Sequence, residues 1–137
     1  MKKLPIGLRN NNPGNIRVSS DKFLGELPSD NAFKKFESMV HGYRAMFVVL
    51  NTYNKRHGIN TIRGIISRYA PSSENNTNAY IDYVSTATGI SPDVKLDFTK
   101  KMPIVSIVYA MAYLETGYKP DAHEVIDGYR LSPLCHI

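Results

Sequence analysis

The chain has one cysteine in 137 residues, Cys135, so no intrachain disulfide can staple it. A thiol that close to the C-terminus, with His136 beside it, is poorly placed to act as a preorganised nucleophile. Cys/His pairs at ligand spacing and a His-Glu-x-x-His run are both absent, which excludes the common zinc frameworks; no metal and no cofactor are expected. No apolar run reaches membrane length, so no membrane span is expected. Met1-Lys2-Lys3 leads into Leu4-Pro5-Ile6-Gly7 rather than a signal-peptide core, so export is expected to depend on lysis or a larger machine. Acidic residues are outnumbered, 12 against 17 Lys and Arg, for a formal charge of +5. That balance favours an anionic partner: nucleic acid, an anionic membrane surface, or the acidic polymers of a bacterial wall. Runs of basic residues are missing, though; none exceeds a doublet (Lys2-Lys3, Lys34-Lys35, Lys100-Lys101), which argues against nucleic acid. Repeats and linkers are absent as well. Residues 1–137 read as one domain, long enough for a real core.

What is present begins with Leu8-Arg9-Asn10-Asn11-Asn12-Pro13-Gly14-Asn15-Ile16-Arg17. Asn competes with helical hydrogen bonds, Pro lacks an amide hydrogen and Gly permits positive φ, so this run is expected to be an ordered loop. Its amide groups suit a ligand rich in hydroxyls and acetamides, such as a glycan; the plainer reading is a turn that satisfies its own backbone. Asn15 to Val18, Lys22 to Leu24 and Ala32 to Phe36 are short extended candidates separated by turn chemistry. The period then becomes helical. Tyr43, Met46, Phe47, Leu50 and Tyr53 form an apolar stripe stopped by Gly58; Thr61 caps a helix carrying Ile62, Ile65 and Ile66. Thr77 opens a helix with Tyr80, Ile81 and Val84 inward, ended by Gly89. Pro103 starts an apolar helix ended by Gly117, and Asp121 with Glu124 caps a last short helix. The expected fold is α+β, mainly α, with about five helices and a small antiparallel β-hairpin region near the N-terminus.

One carboxylate is out of place. The stripe Ile104, Val108, Met111 continues at helical spacing onto Glu115. Partial desolvation and the negative end of the helix dipole both raise such a carboxyl's pKa, as a general acid requires. Gly117 would leave it at the lip of a cleft, with Tyr118 in reach of a sugar ring. The alternative is a structural glutamate paired with a cation or with loop amides. Glu74, in the polar segment Ser72 to Thr77, is either a second acid or a helix-entry residue favoured by the dipole. Glu26 and Glu37 fall in the strand region, either reaching a cleft wall or solvated. Glu124 reads as a cap, His57 as a helix C-terminal residue and His123 as part of a surface turn.

Arg9 to Arg17, Ala70-Pro71-Ser72-Ser73-Glu74-Asn75 with Tyr80, and Leu114-Glu115-Thr116-Gly117 together resemble a family of phage and prophage proteins often described as virion structural proteins. Gly42-Tyr43-Arg44-Ala45 and Asn60-Thr61-Ile62 fit the same pattern, and the resemblance covers Arg9 to about Asp127. A second resemblance concerns chemistry. Wall-cleaving glucosaminidases and other lysozyme-like enzymes end a buried helix with Leu-Glu-Ser/Thr-Gly, whose Glu is the catalytic acid. Further along they carry an Asn-Asn-Leu-Phe-Gly-Ile-Lys type strand entry. Leu114 to Gly117 resembles the first element and Asn11 to Arg17 the second, in reversed chain order and with Pro13-Gly14 in place of Leu-Phe.

These resemblances imply a lysozyme-like, circularly permuted domain that cleaves the glycan strand of bacterial peptidoglycan as a muramidase, glucosaminidase or lytic transglycosylase. Glu115 would be the general acid and Glu74 the second catalytic candidate. Asn12, Asn15, Arg17, Asn75, Tyr80 and Tyr118 would contact glycan. Other virion or secretion-machine proteins are further expected partners. The expected location is a phage virion, or the bacterial cytoplasm before delivery to the periplasm and wall. The rival class is a non-catalytic virion or wall-binding protein that keeps the groove without the chemistry.

Overall fold

The helical stripes fix the architecture, and their termini lie where the capping chemistry puts them. The computed structural model describes residues 3–135; Met1, Lys2, His136 and Ile137 lie outside the described residues, and with them the readings that rested on His136 and on the first two positions. Ser38 caps α2 (Met39–His57) by accepting from the His41 amide, and Gly58 closes it in the left-handed region. Thr61 caps α3 (Ile62–Tyr69) through the Gly64 amide, and Asn76 caps α4 (Thr77–Thr88) through the Ala79 amide. In α5 (Lys101–Thr116), Met102 has extended backbone angles, so regular helix begins at Pro103. Asp121 caps α6 (Ala122–Leu131) through the His123 and Glu124 amides. Its carboxylate does the capping, and Glu124 stands in the first turn.

The fold is mainly helical with one small antiparallel sheet. β1 (Glu26–Leu27) pairs with β2 (Lys35–Phe36), Glu26 opposite Phe36, and a single antiparallel bridge joins Arg17 to Phe33. The extended segments are shorter than their composition predicts. Lys22 to Leu24 is turn and coil, and Asn15 to Val18 contributes one bridge. Side-chain bonds from asparagines take up carbonyls a ladder would use: Asn12 and Asn10 both donate to the Lys34 carbonyl, and Asn11 donates to that of Phe36. A further helical turn, α1 (Ile6–Arg9), precedes the Asn-rich loop, so Leu8 and Arg9 belong to it and Asn10 is its C-cap.

One hydrophobic cluster runs through α2 to α6. Met46, Phe47, Leu50, Ile65, Ile104, Val108 and Met111 have no exposed surface. α2 packs along α6, and the Phe47 and Tyr129 rings meet edge to face at 5.5 Å between centroids. α5 is central: it touches α1, α2, α4 and α6. No helix among the described residues is long and apolar enough to cross a membrane.

Candidate active site

Glu115 closes the apolar face of α5 and stands in the last turn before Gly117. Both carboxylate oxygens are held. The Asn15 amide nitrogen donates to Oε1 at 2.9 Å and also to the Glu115 backbone carbonyl at 3.3 Å. The Tyr80 hydroxyl, on α4, donates to Oε2 at 3.0 Å. Burial pushes the Glu115 pKa up, and the two donors, which favour the charged form, pull part of the way back. A hundred residues of chain separate Asn15 from Glu115, and the fold closes that gap to hydrogen-bond distance.

Asn15 bears local costs at this contact. Its φ is 50°, in the left-handed region where side chains are uncommon, though asparagine tolerates it best. Its own amide oxygen is buried without a partner among the described residues. Buried unsatisfied groups and left-handed non-glycine residues gather at functional sites, where surrounding structure over-determines them. Here the surrounding structure is explicit. The Asn12 side chain clasps the loop, accepting from the Ile16 amide at 3.0 Å and donating to the Ile16 and Lys34 carbonyls at 2.9 Å each. Gly14 lies against α2 and α3 so closely that an added Cβ would stand 2.4 Å from the Tyr69 hydroxyl and 2.8 Å from Met46. Tyr69 in turn donates to the Gly14 carbonyl. Gly42 on α2 makes room for the Asn11 carbonyl in the same way.

Glu115 and this loop line one open cleft of about 430 Å³. Arg17, Glu74 and Asn75 line it too, together with Asp21 and the rings of Phe23, Phe33, Tyr53 and Tyr69. The Arg17 guanidinium lies 5.2 Å over the Phe33 ring. Burial raises the Tyr69 pKa well above its ordinary value, with the Glu115 charge adding to it; Tyr80 is shifted the same way for the same first cause. On the other flank of Glu115, Asn75, Asn76, Tyr80 and Leu114 border a smaller depression of about 340 Å³.

The sequence-predicted residues therefore separate into groups. Glu115, Asn15, Arg17, Glu74 and Asn75 share the cleft. Asn12 does not: it is 1 % exposed with its amide engaged by backbone, because an Asn-rich loop must satisfy its own buried polar groups first. Tyr80 is buried and addresses the acid rather than the open cleft. Tyr118, half exposed, lies beyond Gly117 and outside the cleft lining. Glu26 is neither a free cleft carboxylate nor solvated; it is tied to Lys34, which is fully buried.

Sequence reasoning missed Asp21, Phe23, Phe33, Tyr53 and Tyr69. Tyr53 fits the α2 core stripe by spacing, yet it comes late in the helix, where the stripe emerges into the cleft. Tyr69 carried a usable signal: a polar-tipped ring in the last helical turn before Ala70-Pro71. Among the described residues no group of three or more His, Cys, Asp or Glu is arranged to hold a metal ion.

No protein-family model matches the chain. It is 41% identical over 125 residues to Protein P5 of Pseudoalteromonas phage PM2, an alignment covering 88% of this chain and 76% of that protein.

Proposed function

From the premise that the chain belongs to the family of that phage protein, we propose that it is a lysozyme-like glycosidase acting on bacterial peptidoglycan, carried with the virion and delivered to the wall. The observation that carries this reading is the Glu115 carboxyl: desolvated, raised in pKa, fixed at both oxygens, and on an open cleft. A protonated carboxyl held there can donate to a glycosidic oxygen as the C–O bond breaks, leaving positive charge on the sugar ring. Glu74 lines the same cleft and is the candidate second carboxylate, and Asp21 lines it as well. Whichever serves, the sugar cation is quenched by water in a hydrolase or by a hydroxyl of the same sugar in a transglycosylase. Arg17 and Asn75 supply hydrogen bonds, and Phe23, Phe33 and Tyr53 supply flat apolar surface for sugar rings. The meeting of the N-terminal loop and the C-terminal helix at one carboxyl favours the permuted arrangement that the motif order implies.

The direct test is clearance of purified peptidoglycan followed by turbidity, wild type against Glu115→Gln. Wild type is expected to clear the suspension, and the variant to lose activity by about 10²-fold or more, the scale of a general acid's contribution. Equal clearance by the variant would remove Glu115 from the role. Wild type that sediments with the wall and leaves it intact would establish the binding-protein reading instead.

A further inference from the structure

A second groove, of about 560 Å³, adjoins the cleft and shares Asp21, Phe23, Val49 and Tyr53 as a common wall. Its chemistry is different. Arg44 and Arg56 both come from α2, Arg68 from the end of α3, and Lys22 from the segment before β1. Against these four fixed cations the lining holds one carboxylate, Asp21. Lys22 leans toward Glu26 at 3.7 Å, and Arg44 donates to the Leu131 carbonyl. Arg56 and Arg68 make no ion pair among the described residues. The Arg68 guanidinium stacks 5.4 Å over the ring of Tyr53, a residue of the shared wall. A helix C-terminus explains a cation at Arg56, but not the convergence of cations from three separate segments.

We propose that this groove is an anion subsite for the carboxylates of the peptide stems borne by a glycan strand lying in the adjoining cleft; the identity of the ligand rests on the glycosidase reading. Guanidinium forks match carboxylates in two-point geometry and tolerate partial desolvation better than ammonium groups do. The shared wall puts the groove within reach of a substituent on the same ligand. The cations fill one pocket rather than a stripe, which fits a short charged branch better than a continuous phosphate backbone.

The experiment measures binding by calorimetry in the Glu115→Gln background, so that nothing is consumed. The probes are a disaccharide carrying a tetrapeptide stem and a stem-free glycan oligomer. Replacing both arginines, Arg56→Gln with Arg68→Gln, is expected to weaken the stem-bearing probe about tenfold and leave the stem-free probe unchanged. Both side chains are exposed, so the double variant is expected to keep the wild-type Tm. Equal binding by both proteins, or no binding of the stem-bearing probe, overturns the subsite. Loss of duplex DNA retention in the double variant, with stem binding intact, overturns it in favour of a nucleic-acid groove. If wild type fails to clear peptidoglycan while the arginine pair still controls stem binding, the subsite stands and the glycosidase reading falls. If clearance is confirmed without stem dependence, the subsite alone falls.

Discussion

At Glu115 two opposing influences meet in one side chain. Burial favours the neutral acid, while the Asn15 amide and the Tyr80 hydroxyl favour the carboxylate. Removing a donor therefore moves the balance one way only. Tyr80→Phe deletes a hydrogen bond to the charged form and is expected to raise the Glu115 pKa further. A general acid works while protonated, so the alkaline limb of the pH profile of kcat/KM should move to higher pH. The same shift should be visible without any activity, in the carboxyl carbon resonance of Glu115 titrated by NMR. The expected stability cost is modest, about 0.5–1.5 kcal/mol, typical of one hydrogen bond. An unchanged or lowered Glu115 pKa in Tyr80→Phe would show that the hydroxyl does not tune the acid.

At the scale of elements, the segment that brings Asp21 and Phe23 to the cleft is built around a buried cation. Lys34 has no exposed surface; its ammonium donates to the Asp21 carbonyl at 2.7 Å and to both Glu26 oxygens at 3.1 Å, and sits 5.2 Å over the Phe23 ring. This one side chain ties the residue before β2 to the segment that carries Asp21 and Phe23 into the cleft. The pair is asymmetric, since Glu26 also has Lys22 at 3.7 Å while Lys34 has no other carboxylate among the described residues. Glu26→Gln strands a buried charge and is expected to cost about 3–5 kcal/mol. Lys34→Met leaves Glu26 beside Lys22 and is expected to cost clearly less, in denaturant unfolding followed by circular dichroism. Equal costs would mean the lysine is not the constrained partner. None of this was legible in Phe33-Lys34-Lys35-Phe36, which reads only as part of the extended segment Ala32 to Phe36 with a basic doublet in it. Alternation assigns faces, but it does not reveal that a lysine turns inward when a carboxylate and a carbonyl wait for it. The helices were legible because caps and stripes are local: Thr61, Gly58, Gly89, Gly117 and Asp121 mark ends by chemistry confined to a few residues. Glu115 was legible for the same reason, as a break in a local stripe. The partners of that carboxyl were only half legible. Asn15 and Asn12 look alike in the sequence, and only the packing of Gly14 against α2 and α3, with the Asn11 carbonyl against Gly42, decides which faces the acid.

At the scale of the whole molecule, the site opposes stability, and the opposition depends on pH. The folded-state pKa of Glu115 lies above its ordinary value of 4.5. The unfolded chain releases that proton near 4.5, while the folded protein keeps it to higher pH. Between the two values the folded state binds more protons, so stability falls as pH rises. The contribution is fully present below 4.5 and is lost once pH has passed the folded value. Glu124 shifts in the same direction through burial and its acidic neighbours, and Asp93 and Asp97 in the opposite one, so the wild-type curve alone mixes several groups. Glu115→Gln isolates the one that matters, because every other titrating group is common to both proteins. The difference in Tm, variant minus wild type, should be near its minimum below the ordinary carboxyl value, climb as pH rises above it, and level off once pH has passed the folded-state value. Substitutions that relieve a strained functional site commonly add about 0.5–2 kcal/mol, which for a chain of this size is about 2–6 °C in Tm. Parallel melting curves across that range would mean that Glu115 titrates as an ordinary surface glutamate, and the case for a general acid at the end of α5 would lose its physical basis.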